Sequence, residues 1–475
     1  MQNTYIIITI ISYFSILVLI SFFTGKHDDN KTFFLGNKQS PWFVVAFGMI
    51  GTSLSGVTFI SVPGWVDSTQ FSYMQMVLGY LFGYLVIATV LMPLYYRLNL
   101  TSIYGYLEQR FGFWSYKTGA FFFLLSRTIG AAFRLYLVAM VLQLIVFDAW
   151  HVPFFVTVII TILLIWLYTF KGGIKTIIWT DTLQTLFMLL AVIMTVILIV
   201  NHMDLTVKDL YDNEYSQIFF FEDWRDPKYF FRQFLAGAFM AIVMTGLDQD
   251  MMQKNLSCKN LKAAQKNMFW FSIILVFVNF VFLALGALLY QYANLKGITA
   301  TGDNLYPMIA INGELGIVVG LLFILGLIAA AYSSADSALT ALTTSFSIDF
   351  LKLNEHQVKL RQLVHFGFSV LLIIVILVFK AINDQSIISM LFTVASYTYG
   401  PLLGLYAFGL FTKWQIKDGY VPIVAILAPL ICYILNINSE QWFGFKFGFE
   451  LLIVNGLFTF FGLLLLVKIE TKFSG

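Results

Sequence analysis

The chain is short of charge. Of its 475 residues only 11% are Asp, Glu, Lys or Arg, against 59% hydrophobic types. A soluble domain carries about 25% charged residues, so a chain this poor in them cannot cover a globule with polar surface. An excess of one sign is missing too. The 28 basic and 25 acidic residues leave a net charge of +3, too small and too dispersed for a nucleic-acid partner. Cysteine is nearly absent: Cys258 falls in a polar loop and Cys432 in a late apolar run, which excludes a disulfide framework and a cysteine-based metal centre. There are five histidines, His27, His151, His202, His356 and His365, and only His365 falls within an apolar run, near one end of it. Ser53-Leu-Ser-Gly could suggest an intramembrane serine hydrolase, but such chemistry needs an activating base, so the expectation is that the chain is not an enzyme. No segment between apolar runs is long enough for a soluble domain. That removes a sensor with an output module, and no obligate protein partner is evident.

What the chain has is bilayer-length apolar runs. A span needs roughly 20 mostly apolar residues, and about thirteen such stretches centre on 5–23, 43–66, 72–96, 118–147, 152–170, 176–201, 231–253, 267–292, 315–349, 362–380, 385–411, 419–436 and 448–467. The stretch 315–349 is long for one span, and either tilts or continues into the aqueous layer. The first run, Tyr5–Phe23, has no basic residue before it and no small-residue cleavage site after it, so it reads as a retained span and not a signal peptide. The 50 Phe, 24 Tyr and 10 Trp suit lipid-facing surfaces and interfacial belts. The expected fold class is an all-α polytopic protein of the cell (inner) membrane.

Basic residues are distributed unevenly between alternate loops. The segments Lys26–Lys38, Arg97–Lys117, Lys171–Lys175, Lys254–Lys266, Lys352–Arg361, Lys413–Lys417 and Lys468–Lys472 hold nineteen. The alternate segments hold seven: Lys208, Arg225, Lys228, Arg232, Lys296, Lys380 and Lys446. The positive-inside rule puts the nineteen in the cytoplasm, with the N-terminus outside and the C-terminus inside.

Two spans look interrupted. Gly51, Thr52, Ser53, Ser55, Gly56 and Thr58 cluster in the middle of the second, where paired glycines weaken a helix and freed carbonyls need partners. A small-residue packing seam is the other explanation. The span 231–253 has weak points at Gly237 and at Thr245-Gly246, five helices further on, as an inverted five-helix repeat requires. Four ionisable residues fall within spans: Arg127, Arg134, Asp181 and Asp336. Such residues are costly and mark function by default, although charges summing to zero also allow two buried ion pairs. Arg127, Gly130 and Arg134 share one helix face. Ser333, Asp336, Ser337 and Thr340 form one stripe with Ser334 beside it. That set of oxygens suits a hard alkali cation, and the carboxylates could instead carry protons.

Six segments, in order, carry a family resemblance: Thr52–Pro63, Thr101–Gly112 (TSIYGYLEQRFG), Gly172–Gln184 (GGIKTIIWTDTLQ), Gln249–Gln253, Ala329–Ser337 and Gly400–Phe411 (GPLLGLYAFGLF). Over nearly its full length the chain resembles the sodium:solute symporter family, which includes sodium/glucose, proline, sialic acid, iodide and multivitamin carriers. The resemblance implies a leucine-transporter-like fold: a leading helix and loop at 1–40, inverted repeats at 41–201 and 231–411, and two further helices within 412–475. It implies sodium-coupled symport of a small solute by alternating access, with proton-coupled or uncoupled transport, or a channel, as the alternatives on the same fold. The implied sodium ligands are the carbonyls of Gly51, Leu54 and Ala330 and the hydroxyls of Ser333 and Ser334. A second cation would sit by Asp181 with Ser333, Asp336 and Ser337, although relatives place a hydroxyl where Asp336 stands. Implied solute contacts are Ser53, Ser55, Thr58, Tyr73, Arg127, Arg134, Asp248, Gln249 and Tyr397. Sialic acid carriers hold a carboxylate with an arginine on the third core helix. That place falls on Gly130 here, one turn from both Arg127 and Arg134, which favours an anionic solute, such as a carboxylate, over glucose-like sugars.

Overall fold

With no water in the hydrocarbon layer, a spanning backbone must satisfy its own N–H and C=O groups, and helices do this within one segment. Each long apolar run is accordingly helical in the computed structural model, which describes residues 3–25, 29–170, 173–312, 315–354, 356–382 and 387–468. Lys26, His27, Lys171, Gly172 and Lys472, named above, lie outside the described residues. The spans are α1 (Asn3–Thr24), α2a (Trp42–Ser53) with α2b (Gly56–Thr69), α3 (Tyr73–Arg97), α4 (Phe113–Leu142), α5 (Phe154–Thr169), α6 (Gly173–His202), α7a (Phe230–Gly246) with α7b (Gln249–Leu256), α8 (Leu261–Lys296), α9 (Ile317–Phe350), α10 (Val358–Ile382), α11a (Ile387–Thr398) with α11b (Gly400–Phe411), α12 (Val421–Phe443) and α13 (Leu451–Leu464). They coincide with the thirteen expected runs. Two are sharply bent, α2 by 56° and α7 by 63°. The chain is a multi-pass membrane protein.

The bends are where expected in α2, and only partly so in α7. Gly237 does not interrupt α7a. It lets the helix lie against α3, since a Cβ there would collide with the Met76 carbonyl, and Gly79 plays the reciprocal part against Phe234 and Ala238. Small residues that let backbones touch drive packing where lipid removes the hydrophobic incentive. The break itself follows Gly246, at Leu247–Asp248.

The leading helix α1 packs from outside through Tyr13 on Phe187 (6.0 Å) and Phe14 on Tyr332 (4.9 Å). The long α9 and α6 run through the middle, with Asp181, Gln184 and every residue from Ala329 to Ser345 buried. Lys254 and Arg361, counted above with the loops, are buried on α7b and α10. Without them the asymmetry between the two ends is seventeen to seven.

The basic end is sealed by hydrogen bonds between segments. Gln249 accepts from Ile103 N–H (3.0 Å) and donates to the Thr101 carbonyl (2.8 Å). Gln253 donates to the Phe34 carbonyl (2.7 Å) and to Thr344 Oγ1 (3.0 Å). Asp418 caps α4 by accepting from the N–H groups of Trp114 and Ser115 (2.7 and 2.8 Å). The opposite end opens into a vestibule of about 390 Å³ lined by Trp65, Tyr73, Lys228, Arg232, Lys446 and Phe449 among others.

Gly237→Leu is expected to overpack the α3–α7a seam at a cost of about 1–3 kcal/mol, lowering the thermal unfolding midpoint in detergent. Gly130→Ala should leave it unchanged, because its Cβ would meet only Leu391 Cδ1 at 3.6 Å.

Candidate ion and solute site

Between α2a and α2b the chain leaves helical geometry at Leu54 (φ −83°, ψ 3°) and Ser55 (φ 12°, ψ 169°). The closing bond of α2a runs from Leu54 N–H to the Ile50 carbonyl at 2.9 Å, and the next backbone bond, at the start of α2b, runs from Phe59 N–H to the Ser55 carbonyl at 3.1 Å. The carbonyls that follow Ile50 therefore lie past the end of a helix ladder, deep inside the protein. Ser334 Oγ on α9 donates to one of them, the Thr52 carbonyl, at 3.1 Å. Gly51 lies so close to α6 that a Cβ would strike the Thr185 hydroxyl, while its own N–H donates to that hydroxyl at 3.0 Å.

The structure gathers the five expected sodium residues into one buried place. Gly51 and Leu54 come from the break, and Ala330, Ser333 and Ser334 from the facing turn of α9. Ser333 Oγ is 3.3 Å from Thr52 Oγ1, and Ser334 Oγ is 3.5 Å from the Ala330 carbonyl. This arrangement of carbonyl and hydroxyl oxygens offers a hard cation neutral ligands at the point where a helix can no longer use them.

Beside it lies a cluster of three charges. Asp181 accepts from Ser333 Oγ (2.7 Å), Thr52 Oγ1 (3.1 Å) and Ser337 Oγ (3.4 Å). Its closest partner is a residue the sequence reading had placed in a loop: Lys254 Nζ is 2.6 Å from Asp181 Oδ2 and also contacts Thr52 Oγ1. Both side chains are at most 1% exposed. Asp336 accepts from Tyr168 OH (2.8 Å) and from Ser337 N–H (2.5 Å).

The arginines pair differently from either expectation based on four intramembrane charges. Arg127 faces Asp248 at 3.8 Å and pairs with Asp250, both at the head of α7b. Asp248 caps that helix by accepting from Asp250 N–H (2.9 Å) and takes a hydrogen bond from Tyr399 OH. Arg134, 6% exposed, has no ion-pair or hydrogen-bond partner among the described residues. It lines a central cavity of about 80 Å³ together with Ser53, Ser55, Thr58, Tyr73 and Arg127, and with Tyr80, Tyr84 and Asn279, which the sequence reading did not name. Tyr73 lines both this cavity and the outer vestibule.

Three of the expected solute contacts do not line the central cavity. Gln249 is spent on the seal at the basic end. Tyr397 points away and accepts a hydrogen bond from Asn436 Nδ2 at 2.9 Å; its neighbour but one, Tyr399, is the tyrosine that reaches Asp248. Asp248 stands behind the cavity, facing Arg127. Lys254 was missed because the expected span ends at 253 and the loop begins with it, and Asp250 because it was not counted among the ionisable residues within spans. The break just before the polar run Gln249–Asn255 was the signal that this run is the second half of a bent span.

A sequence profile of the sodium:solute symporter family matches residues 33–420. The sodium/sialic acid symporter of Aliivibrio fischeri is 24% identical over 446 residues, covering 89% of this chain and 86% of that protein. The sodium-dependent multivitamin transporter of Oryctolagus cuniculus is 26% identical over 425 residues, covering 86% of this chain and 65% of that protein. Among solved structures, the substrate-bound outward-open state of a Na+-coupled sialic acid symporter superposes with a TM-score of 0.79 at 18% identity, over 98% of each chain. That likeness establishes the fold.

Removing one partner of a buried ion pair strands the other, at about 3–5 kcal/mol. Arg127→Met should therefore lower the unfolding midpoint sharply, because it strands both Asp248 and Asp250, whereas Asp250→Leu should lower it less in the same thermal assay, because Arg127 keeps Asp248 at 3.8 Å.

Proposed function

Because the chain belongs to the sodium:solute symporter family and is a sodium-coupled solute symporter, we propose that its solute is a small organic anion, of carboxylate type, anchored by Arg134. The observation that carries this reading is the pairing pattern. Two arginines line the central cavity and two aspartates lie behind it, yet Arg127 takes both carboxylates, and Arg134 keeps its guanidinium for whatever enters. A guanidinium fork suits a carboxylate bidentately. The small cavity volume favours a compact solute, and around the vestibule Arg232 is paired with Glu450, which leaves Lys228 and Lys446 to draw anions towards it.

Sodium, in this reading, binds to the carbonyls of Gly51, Leu54 and Ala330 and the hydroxyls of Ser333 and Ser334. Occupation there ties the α2 break to α9, and the same break supplies Ser53, Ser55 and Thr58 to the solute cavity. The sealed basic end and open vestibule support an outward-facing state of an alternating-access cycle. They also agree with the basic end lying in the cytoplasm, the N-terminus outside and the C-terminus inside. The two bends, each in the first helix of its half, support repeats at 41–201 and 231–411.

The test is uptake into proteoliposomes of labelled small monocarboxylates, with neutral sugars for comparison. Carboxylate accumulation should require an inward sodium gradient and should fall at least tenfold in Arg134→Gln, since a charged hydrogen bond contributes about 1.5–3 kcal/mol. Ser334→Ala should raise the half-saturating sodium concentration about tenfold, the equivalent of about 1.4 kcal/mol. Sugar uptake without carboxylate uptake would overturn the anion assignment, and equal uptake in choline would overturn sodium coupling.

A further inference from the structure

The place beside Asp181 that could take a second cation already holds one. Lys254 Nζ sits 2.6 Å from Asp181 Oδ2 and contacts Thr52 Oγ1, while Ser333 and Ser337 turn their hydroxyls to the same carboxylate. An ammonium group thus has the carboxylate and hydroxyl oxygens that a sodium ion would need, and both members of the pair are at most 1% exposed. The lysine is carried on α7b just after the 63° bend, the element that also brings Asp250 to Arg127.

A second argument comes from counting charge. Asp181 and Asp336 are fully buried and lie within electrostatic reach of each other and of Lys254. With both carboxylates ionised, two carboxylates and one ammonium leave a single negative charge unmatched. The next cation, Arg127, is already paired with Asp250. One sodium on the neighbouring carbonyls and hydroxyls brings the group to neutrality, whereas two would leave a positive charge in the membrane interior, where unmatched charge is costly.

We infer that Lys254 is a tethered replacement for a second coupling cation, so that the protein binds one sodium ion and Lys254 sets that number. Asp336 supplies the negative charge that keeps the sodium-bound state neutral. The inference rests on the sodium site proposed above but concerns stoichiometry, which that site leaves open.

Purified protein in detergent, with labelled sodium as the only ligand, gives a direct count by equilibrium binding. Wild type should bind one sodium per chain, and Ser334→Ala should weaken that binding at least tenfold. Lys254→Ala should bind two. In Lys254→Ala with Ser334→Ala, one should persist, held by Asp181 and Asp336, and adding Asp181→Asn should remove it. If Lys254→Ala fails to fold, Lys254→Gln provides the same vacancy with a longer polar side chain. A cooperative thermal unfolding transition in sodium-free buffer identifies the folded samples of each variant. Two sodium ions in wild type, or one in a folded Lys254 variant, would overturn the inference while leaving the sodium site intact. No sodium binding in a folded wild type would overturn the site itself and the inference with it.

Discussion

A helix broken in the middle of a membrane protein exposes carbonyl oxygens that neither water nor lipid can satisfy, and everything around α2 answers that constraint. The ladder ends with Leu54 N–H on the Ile50 carbonyl. From there α9 brings Ser334 to the Thr52 carbonyl and α6 brings Thr185 to the Gly51 N–H, close enough that a Cβ at position 51 would press on the Thr185 hydroxyl. On α9, Ser333 and Ser334 meet the break at Thr52, while further along the same buried helix Thr343 meets His365 and Ser345 meets Asp349. The site is therefore built by the need to satisfy a backbone, and the ion proposed for it would complete what the hydroxyls begin.

Charge is handled by the same economy. Each buried carboxylate at the head of α7b faces Arg127, and Asp181 faces Lys254, so that the bend in α7 delivers two acids to one neighbouring helix and a base to another. One cation is left over on the solute side, Arg134, and one carboxylate on the ion side, Asp336. Breaking any buried pair would cost several kcal/mol, so these pairs are structural in energy even where they border a functional cavity. Arg134 and Asp336 are the groups proposed to answer a solute and a cation.

Much of this was legible in the sequence. Thirteen apolar runs became the thirteen spans because a bilayer leaves the backbone no other solution. The α2 break was visible as a cluster of glycine and hydroxyl residues, and the α9 stripe as oxygen at helical spacing. The failures have a common cause: residue order reports the face of a helix but not what lies across from it. Gly237 looked like a break and is a contact with Met76. Lys254 looked like a loop lysine because a polar run after a span resembles its exit, whereas the bend turns that run back into the protein. Tyr397 and Tyr399 differ by two positions, and only the packing against Asn436 or Asp248 separates them.

Thr52 links the ion and solute sides most directly. Its carbonyl accepts from Ser334, its hydroxyl contacts Lys254 and Asp181, and its side chain borders the central cavity next to Ser53. Any movement of α2a relative to α9 must break the Ser334 bond, and any movement relative to α6 must break the Asp181 bond. On the reading proposed above, a cation bound between α2 and α9 would hold the cavity wall from one side and the Lys254–Asp181 pair from the other. Loss of that cation, and not of the tethered ammonium, would release the wall and so join ion occupancy to the shape of the solute cavity.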